Sequence, residues 1–208
     1  MEKRQATVER KTRETEINLT LTLDGSGKTD IATGIVFFDH MLDAMCRFGQ
    51  LDLTLRCKGD LEVDSHHTVE DVGICLARAL KEALGSREGI RRTASAFMPM
   101  DEALAFAALD ISGRPYLAFT AAFLGEKCGQ MDTQLCEEFF RALTGAGLTL
   151  HLKVLEGRND HHKMEALFKA FGLALRDSAA YDARIEGVLS TKGALDRRRG
   201  RNASLSCH

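Results

Sequence analysis

DSHHTVEDVGICLARALKEALG, residues 64–85, and NDHHKMEALFKAFGLALRDSA, residues 159–179, carry one device twice in the same chain. In each, two adjacent histidines are followed by a glutamate four residues after the first: His66, His67 and Glu70, then His161, His162 and Glu165. Apolar residues follow at helical spacing, so each stretch reads as an amphipathic helix with the histidines in its first turn, the first helix closed by Gly85. Residues at i and i+4 share a helix face, so the leading histidine and the glutamate can grip one ion together, while the second histidine points elsewhere. One copy alone has an ordinary reading as surface histidines beside a first-turn glutamate that the helix dipole favours. Two copies at matched places point to a duplicated metal-binding unit.

Working outward, the chain repeats around these stretches. EINLTLTLDGSGKTDI (residues 16–31) alternates apolar and polar residues about a Gly-rich turn and reads as a β-hairpin, with GSGK as hairpin chemistry. A helix, IVFFDHMLDAMCRFG, and a strand, LDLTLRCKG, then lead to the first histidine pair. In the second half, EALAFAALDISGRPYLAFTAAF, LCEEFFRALTGAG and LTLHLKVLEG give the same order before the second pair. The expected fold is a two-layer α+β sandwich of two duplicated half-domains. Each half is strand-strand-helix-strand-helix, an antiparallel sheet with helices on one face. Residues 1–90 form the first half and 91–192 the second, packed as one domain, with 85–100 as the joint. Residues 193–208, GALDRRRGRNASLSCH, read as a disordered basic tail.

The 208 residues are 44% hydrophobic and 28% charged, with a formal net charge of -2, so no global basic field points to nucleic acid or an anionic membrane. No apolar run approaches the roughly 20 residues of a membrane span. The charged start, MEKRQATVERKTRETE, has no apolar h-region, which places the expected location in the cytoplasm. Six cysteines occur without CxxC spacing and read as reduced, mostly buried residues. None lies by the histidine motifs, which favours an open nitrogen and oxygen site over a structural thiolate zinc site. The repeat adds His40, in FFDHML, as a ligand, and Glu138 of LCEEFF at the matching place in the second half. His151, mid-strand in LTLHLKVL, reads as a sheet residue.

FFDHMLDAM, DSHHTVEDVGI, LDISGRPYL, GRNDHHKMEALFKAFGLAL and STKGAL together resemble the imidazoleglycerol-phosphate dehydratases of histidine biosynthesis, over roughly residues 4 to 195. The resemblance implies a hydro-lyase that converts D-erythro-imidazole-glycerol phosphate to imidazole-acetol phosphate. It implies two Mn2+ ions per site and a homo-oligomer of 24 subunits with sites between subunits. Carried over by position, the ligands are His40, His66, His67, Glu70, His161, His162 and Glu165, with Glu138 where some members have histidine. The phosphate grip falls on Arg92, Arg114, Lys169, Ser190 and Lys192, and Glu14 matches a substrate-contacting glutamate. A glutamine often follows DHMLD in the family, where this chain has Ala44.

The residues support that implication independently. Arginines, lysines and a small hydroxyl are what a phosphate dianion needs, and Lys169 lies four residues past Glu165, on the metal-facing side of the helix. Removal of an unactivated C–H proton requires the imidazole ring to accept electrons, which metal ions on its nitrogens favour. Glu14, Glu70 and Glu165 are the candidate bases. Two other classes compete. A metal-storing scaffold explains the paired histidines but not the basic set. A di-metal hydrolase explains the basic set but ordinarily uses bridging aspartates, and no Asp-rich motif is present.

Overall fold

A computed structural model describes residues 3–193 and residue 195. The expected tail therefore lies, save residues 193 and 195, outside the described residues. The first half runs β1 (Gln5–Lys11), β2 (Thr15–Thr22), β3 (Thr29–Ala32), α1 (Val36–Gly49), β4 (Asp52–Gly59) and α2 (His66–Leu84). The second runs β5 (Thr93–Met100), β6 (Ala103–Asp110), β7 (Tyr116–Thr120), a two-strand ribbon of β8 (Lys127–Cys128) and β9 (Met131–Asp132), α3 (Leu135–Leu143), β10 (Thr149–Glu156) and α4 (Asp160–Ala179).

The sheets have orders β1-β2-β4-β3 and β5-β6-β10-β7, the same topology twice. The duplicated α+β architecture expected from the sequence is present, with the β8–β9 ribbon added in the second half and one strand more in the main sheet of each half. The extra strands are β1 and β5, each an edge strand. The segment read as a joint contains β5.

The hairpin readings need correction. β2 and β3 do not pair with each other: both flank β4, β2 antiparallel and β3 parallel. β6 and β7 flank β10 in the same way. Each sheet is thus mixed, and the true hairpins are β1–β2 and β5–β6. The GSGK segment is instead pinned to β4, where the Asp52 carboxylate accepts the backbone N–H groups of Ser26 (2.7 Å) and Lys28 (2.9 Å).

Strand alternation sets one buried face per sheet. Ile17, Leu19 and Leu21 of β2 and Leu150 and Leu152 of β10 face a single apolar core that draws on both halves. The halves meet helix to helix, α1 against α4 and α2 against α3. Glycine makes both contacts close. A Cβ on Gly172 would lie 2.2 Å from the Met45 carbonyl oxygen, and one on Gly73 would lie 3.0 Å from that of Phe139. This docking brings α1 of the first half beside α4 of the second. Among the described residues no helix is long and apolar enough to cross a membrane.

Candidate metal centre

Both histidine pairs sit where a loop enters a helix, and a short polar side chain fixes each entry. The Asp64 carboxylate accepts the N–H of His66 (2.6 Å), and Asn159 Oδ1 accepts that of His161 (2.9 Å). The second contact is a helix N-cap. Within each pair the rings stand nearly perpendicular, 6.2 Å apart, so one histidine faces its helix's own glutamate and the other faces away.

On α4, His161 Nε2 lies 3.1 Å from Glu165 Oε2, and His40 Nε2, arriving from α1, lies 3.4 Å from the same oxygen. His40, His161 and Glu165 thus offer two imidazole nitrogens and a carboxylate oxygen, all within 4.8 Å of one another. This donor set suits a divalent ion that accepts nitrogen and oxygen ligands. Phe37 packs edge-on against His161, their centroids 5.1 Å apart, which limits ring rotation. Asp39 does not orient His40. It accepts from the backbone and hydroxyl of Thr33 (3.0 and 2.6 Å) and secures the start of α1.

Glu165 is buried, and Lys169 Nζ sits 2.6 Å from its second oxygen. Burial pushes its carboxyl upward, but Lys169, together with His40 and His161, outweighs that and holds it below the usual range. In the first half, His66 Nε2 and Glu70 Oε2 are 3.8 Å apart and nearly half exposed, with no third donor gathered among the described residues. Glu138 is also outside the cluster and pairs with Arg141 at 3.6 Å. His151 is exposed and stacks at a tilt with Tyr116, away from the cluster, as read from its strand position.

The second histidines each hold a carboxylate that spacing did not reveal. His67 Nδ1 lies 3.0 and 3.2 Å from the Asp60 oxygens, and His162 Nδ1 lies 2.8 Å from Glu102. These contacts raise the basicity of both histidines. The Glu102 carboxyl is lowered to about 2, by His162 first and then by the N–H groups of Asn159 and Arg158. On the far side of each ring, His67 Nε2 faces Glu14 at 3.9 Å and His162 Nε2 faces Asp101 at 3.8 Å.

Of the basic set, Arg92, Arg114, Ser190 and Lys192 line one open cavity of about 1480 Å³, with Lys81 and Ser112. Lys169 does not line it. Arg92 grips Asp110 with two nitrogens (2.7 and 3.0 Å) and donates with a third to the Leu189 carbonyl (2.7 Å), which fixes the segment carrying Ser190 and Lys192. Arg4 makes the same contact in the first half. Two nitrogens bind Asp24 (2.8 and 2.6 Å) and a third binds the Ala179 carbonyl (2.8 Å). The two arginines occupy equivalent places, each immediately before the first strand of its half.

Comparison with known proteins matches residues 33–175 to the family described as Imidazoleglycerol-phosphate dehydratase. A relative of that name from Acetivibrio thermocellus is 58% identical over 193 residues, covering 92% of this chain and 99% of the relative. Another from Symbiobacterium thermophilum is 61% identical over 189 residues, covering 90% and 91%. The crystal structure of the Staphylococcus aureus imidazoleglycerol-phosphate dehydratase superposes with a TM-score of 0.78 at 37% identity, covering 86% of this chain and 99% of that one.

Proposed function

The chain belongs to the imidazoleglycerol-phosphate dehydratase family, hydro-lyases of histidine biosynthesis, and on that premise we propose that it dehydrates D-erythro-imidazole-glycerol phosphate to imidazole-acetol phosphate at a di-manganese site with a basic phosphate clamp. The observation that carries this reading is the convergence of His40, His161 and Glu165 from opposite halves of the duplication. These three would hold one Mn2+. His66, His67, Glu70 and His162 supply the remaining donors, completed by a second copy of the chain in a homo-oligomer of 24 subunits. Glu138, tied to Arg141, is not needed for the set. When bound, Mn2+ supplies Lewis acidity to the imidazole ring and lowers the cost of moving electrons into it.

The chain's own residues do the rest. The reaction removes the C2 proton and the hydroxyl on the ring-bearing carbon as water, and the enol left behind tautomerises to the ketone. Glu165 is held ionised and immobile by Lys169 and two histidines, so it binds rather than shuttles protons. Glu14 is exposed, 3.9 Å from His67 Nε2, and is the base assigned to the C2 proton. Arg114, Ser190 and Lys192 grip the phosphate, with Arg92 anchoring their segment. Lys169, outside that cavity in its own chain, spends one of its three N–H donors on Glu165 and would offer the others to a phosphate held by a neighbouring copy. Fixing both ends of the substrate sets the reacting carbons in place.

The test is incubation of metal-stripped protein with imidazole-glycerol phosphate before and after Mn2+ is restored, following the ketone product. Product should form only after restoration. Turnover by protein shown metal-free by elemental analysis overturns the reading.

A further inference from the structure

We infer that Asp60 and Glu102 are positioning residues that fix the ring and the tautomer of the second histidine in each pair, so that Nε2 is the nitrogen presented to a metal. An ionised carboxylate can only accept, so each contact holds a proton on Nδ1, and in the neutral imidazole that metal binding requires this leaves the Nε2 lone pair available. His162 Nδ1 meets Glu102 at 2.8 Å, and His67 Nδ1 meets Asp60 at 3.0 Å. The inference rests on the reading of His67 and His162 as metal ligands.

The two carboxylates do not occupy equivalent places in the repeat. Glu102 immediately precedes β6, where the first half has Glu14 immediately before β2. Asp60 immediately follows β4, where the second half has Gly157 immediately after β10. An inherited contact would use matched residues. Here the halves reach the same Nδ1 contact from different loops, which marks the contact itself as what the site needs. Using Asp60 on Nδ1 also leaves Glu14 on the Nε2 side of His67, where the proposed base must stand.

The two supports are built differently, and this separates orientation from folding. The other oxygen of Glu102 accepts the backbone N–H groups of Arg158 (3.0 Å) and Asn159 (2.7 Å), docking the β5–β6 turn onto the start of α4. In Glu102→Gln the amide oxygen can keep that docking, but the NH2 then faces His162 and favours the proton on Nε2. Asp60 has both oxygens on His67. Asp60→Asn can therefore turn its oxygen to Nδ1 and keep the tautomer, whereas Asp60→Ala cannot.

The experiment is Mn2+ titration of the full chain followed by electron paramagnetic resonance, with thermal unfolding of each metal-free variant alongside. Wild type must bind Mn2+, and His162→Ala and His67→Ala must each lose bound ion. If they do not, the metal reading fails before this inference is reached. Given that, Glu102→Gln and Asp60→Ala should weaken binding by about 10- to 100-fold, with metal-free unfolding unchanged. Asp60→Asn should stay within about threefold, since its acceptor is preserved. Wild-type affinity in Glu102→Gln or Asp60→Ala overturns the inference, as does an Asp60→Asn loss equal to that of Asp60→Ala. A Glu102→Gln loss that comes with a lower metal-free unfolding temperature assigns Glu102 to docking α4 and likewise overturns it.

Discussion

The second half closes its motif and the first leaves it open. Glu165 is buried, flanked by His161 and His40, and neutralised by a lysine one turn on. Glu70, at the same place in α2, is half exposed and 3.8 Å from His66, and Ile74 stands where α4 has Lys169. Identical motifs thus yield a three-donor cluster in one half and an open two-donor pair in the other. The difference lies in the neighbours. α4 packs against α1 and receives His40, whereas α2 packs against α3, whose Glu137 and Glu138 both pair with Arg141. Duplication supplies the ligand types, and helix docking decides which copy is complete within a chain.

The sharpest break of this comparison is to remove each glutamate in turn. Glu165→Gln should cost more than about 100-fold in Mn2+ affinity and turnover, beyond the 10- to 100-fold expected for an outer support, and should do so at any protein concentration. Glu70→Gln should cost as much only where copies associate, if the proposed oligomer supplies its remaining donors from outside the chain. Mn2+ titration and light scattering across a dilution series would separate the two. Equal losses in dilute, dissociated protein would mean that the first half is as self-contained as the second.

The lysine peculiar to the second half gives the next largest effect. A charge-assisted contact to phosphate is worth about 1.5–3 kcal/mol, so Lys169→Ala should lower kcat/KM by roughly 10- to 100-fold. The loss should shrink with a dephosphorylated substrate analogue. A loss equal on both substrates would assign Lys169 to Glu165 alone.

The features that were plain in the sequence are those within one helical turn or one strand: both histidine pairs, their i+4 glutamates, and the apolar faces of α2 and α4. The edge strands were hidden for a physical reason. QATVERK buries only Val8, with Ala6 packed partly against the core, and its other residues are charged or polar. In TASAFMPM, Ala94, Ala96, Met98 and Met100 alternate toward the core, but the exposed Phe97 and Pro99 on the other face mask that alternation in the sequence. The parallel pairings of β3 and β7 join segments separated by a whole helix, which no local pattern encodes. The same holds for Glu102 on His162, 60 residues apart. One signal for Glu102 existed, its place immediately before β6, matching Glu14 before β2. The pairing of His40 with Glu165 spans 125 residues and depends on the α1–α4 contact.

The smallest effect concerns a contact that both halves make alike. Arg4–Asp24 and Arg92–Asp110 are equivalent two-nitrogen grips, yet only the second anchors a segment of the basic cavity. The first should therefore contribute to stability alone. Arg4's hydrogen bonds hold the Asp24 carboxyl below its ordinary value, although burial opposes this. A carboxyl lowered in the folded state stabilises the protein above its unfolded pKa of about 4, and that contribution is lost as pH falls through the folded value. Asp24 is nearly half exposed, so solvent screening leaves the pair worth about 0.5–1 kcal/mol. Asp24→Asn should thus lower stability by that amount at pH 7, leave turnover unchanged, and differ from wild type progressively less below about pH 4. Urea unfolding at both pH values checks this. A deficit that persists undiminished in acid would place the contribution of Asp24 in packing or backbone geometry rather than in the ion pair.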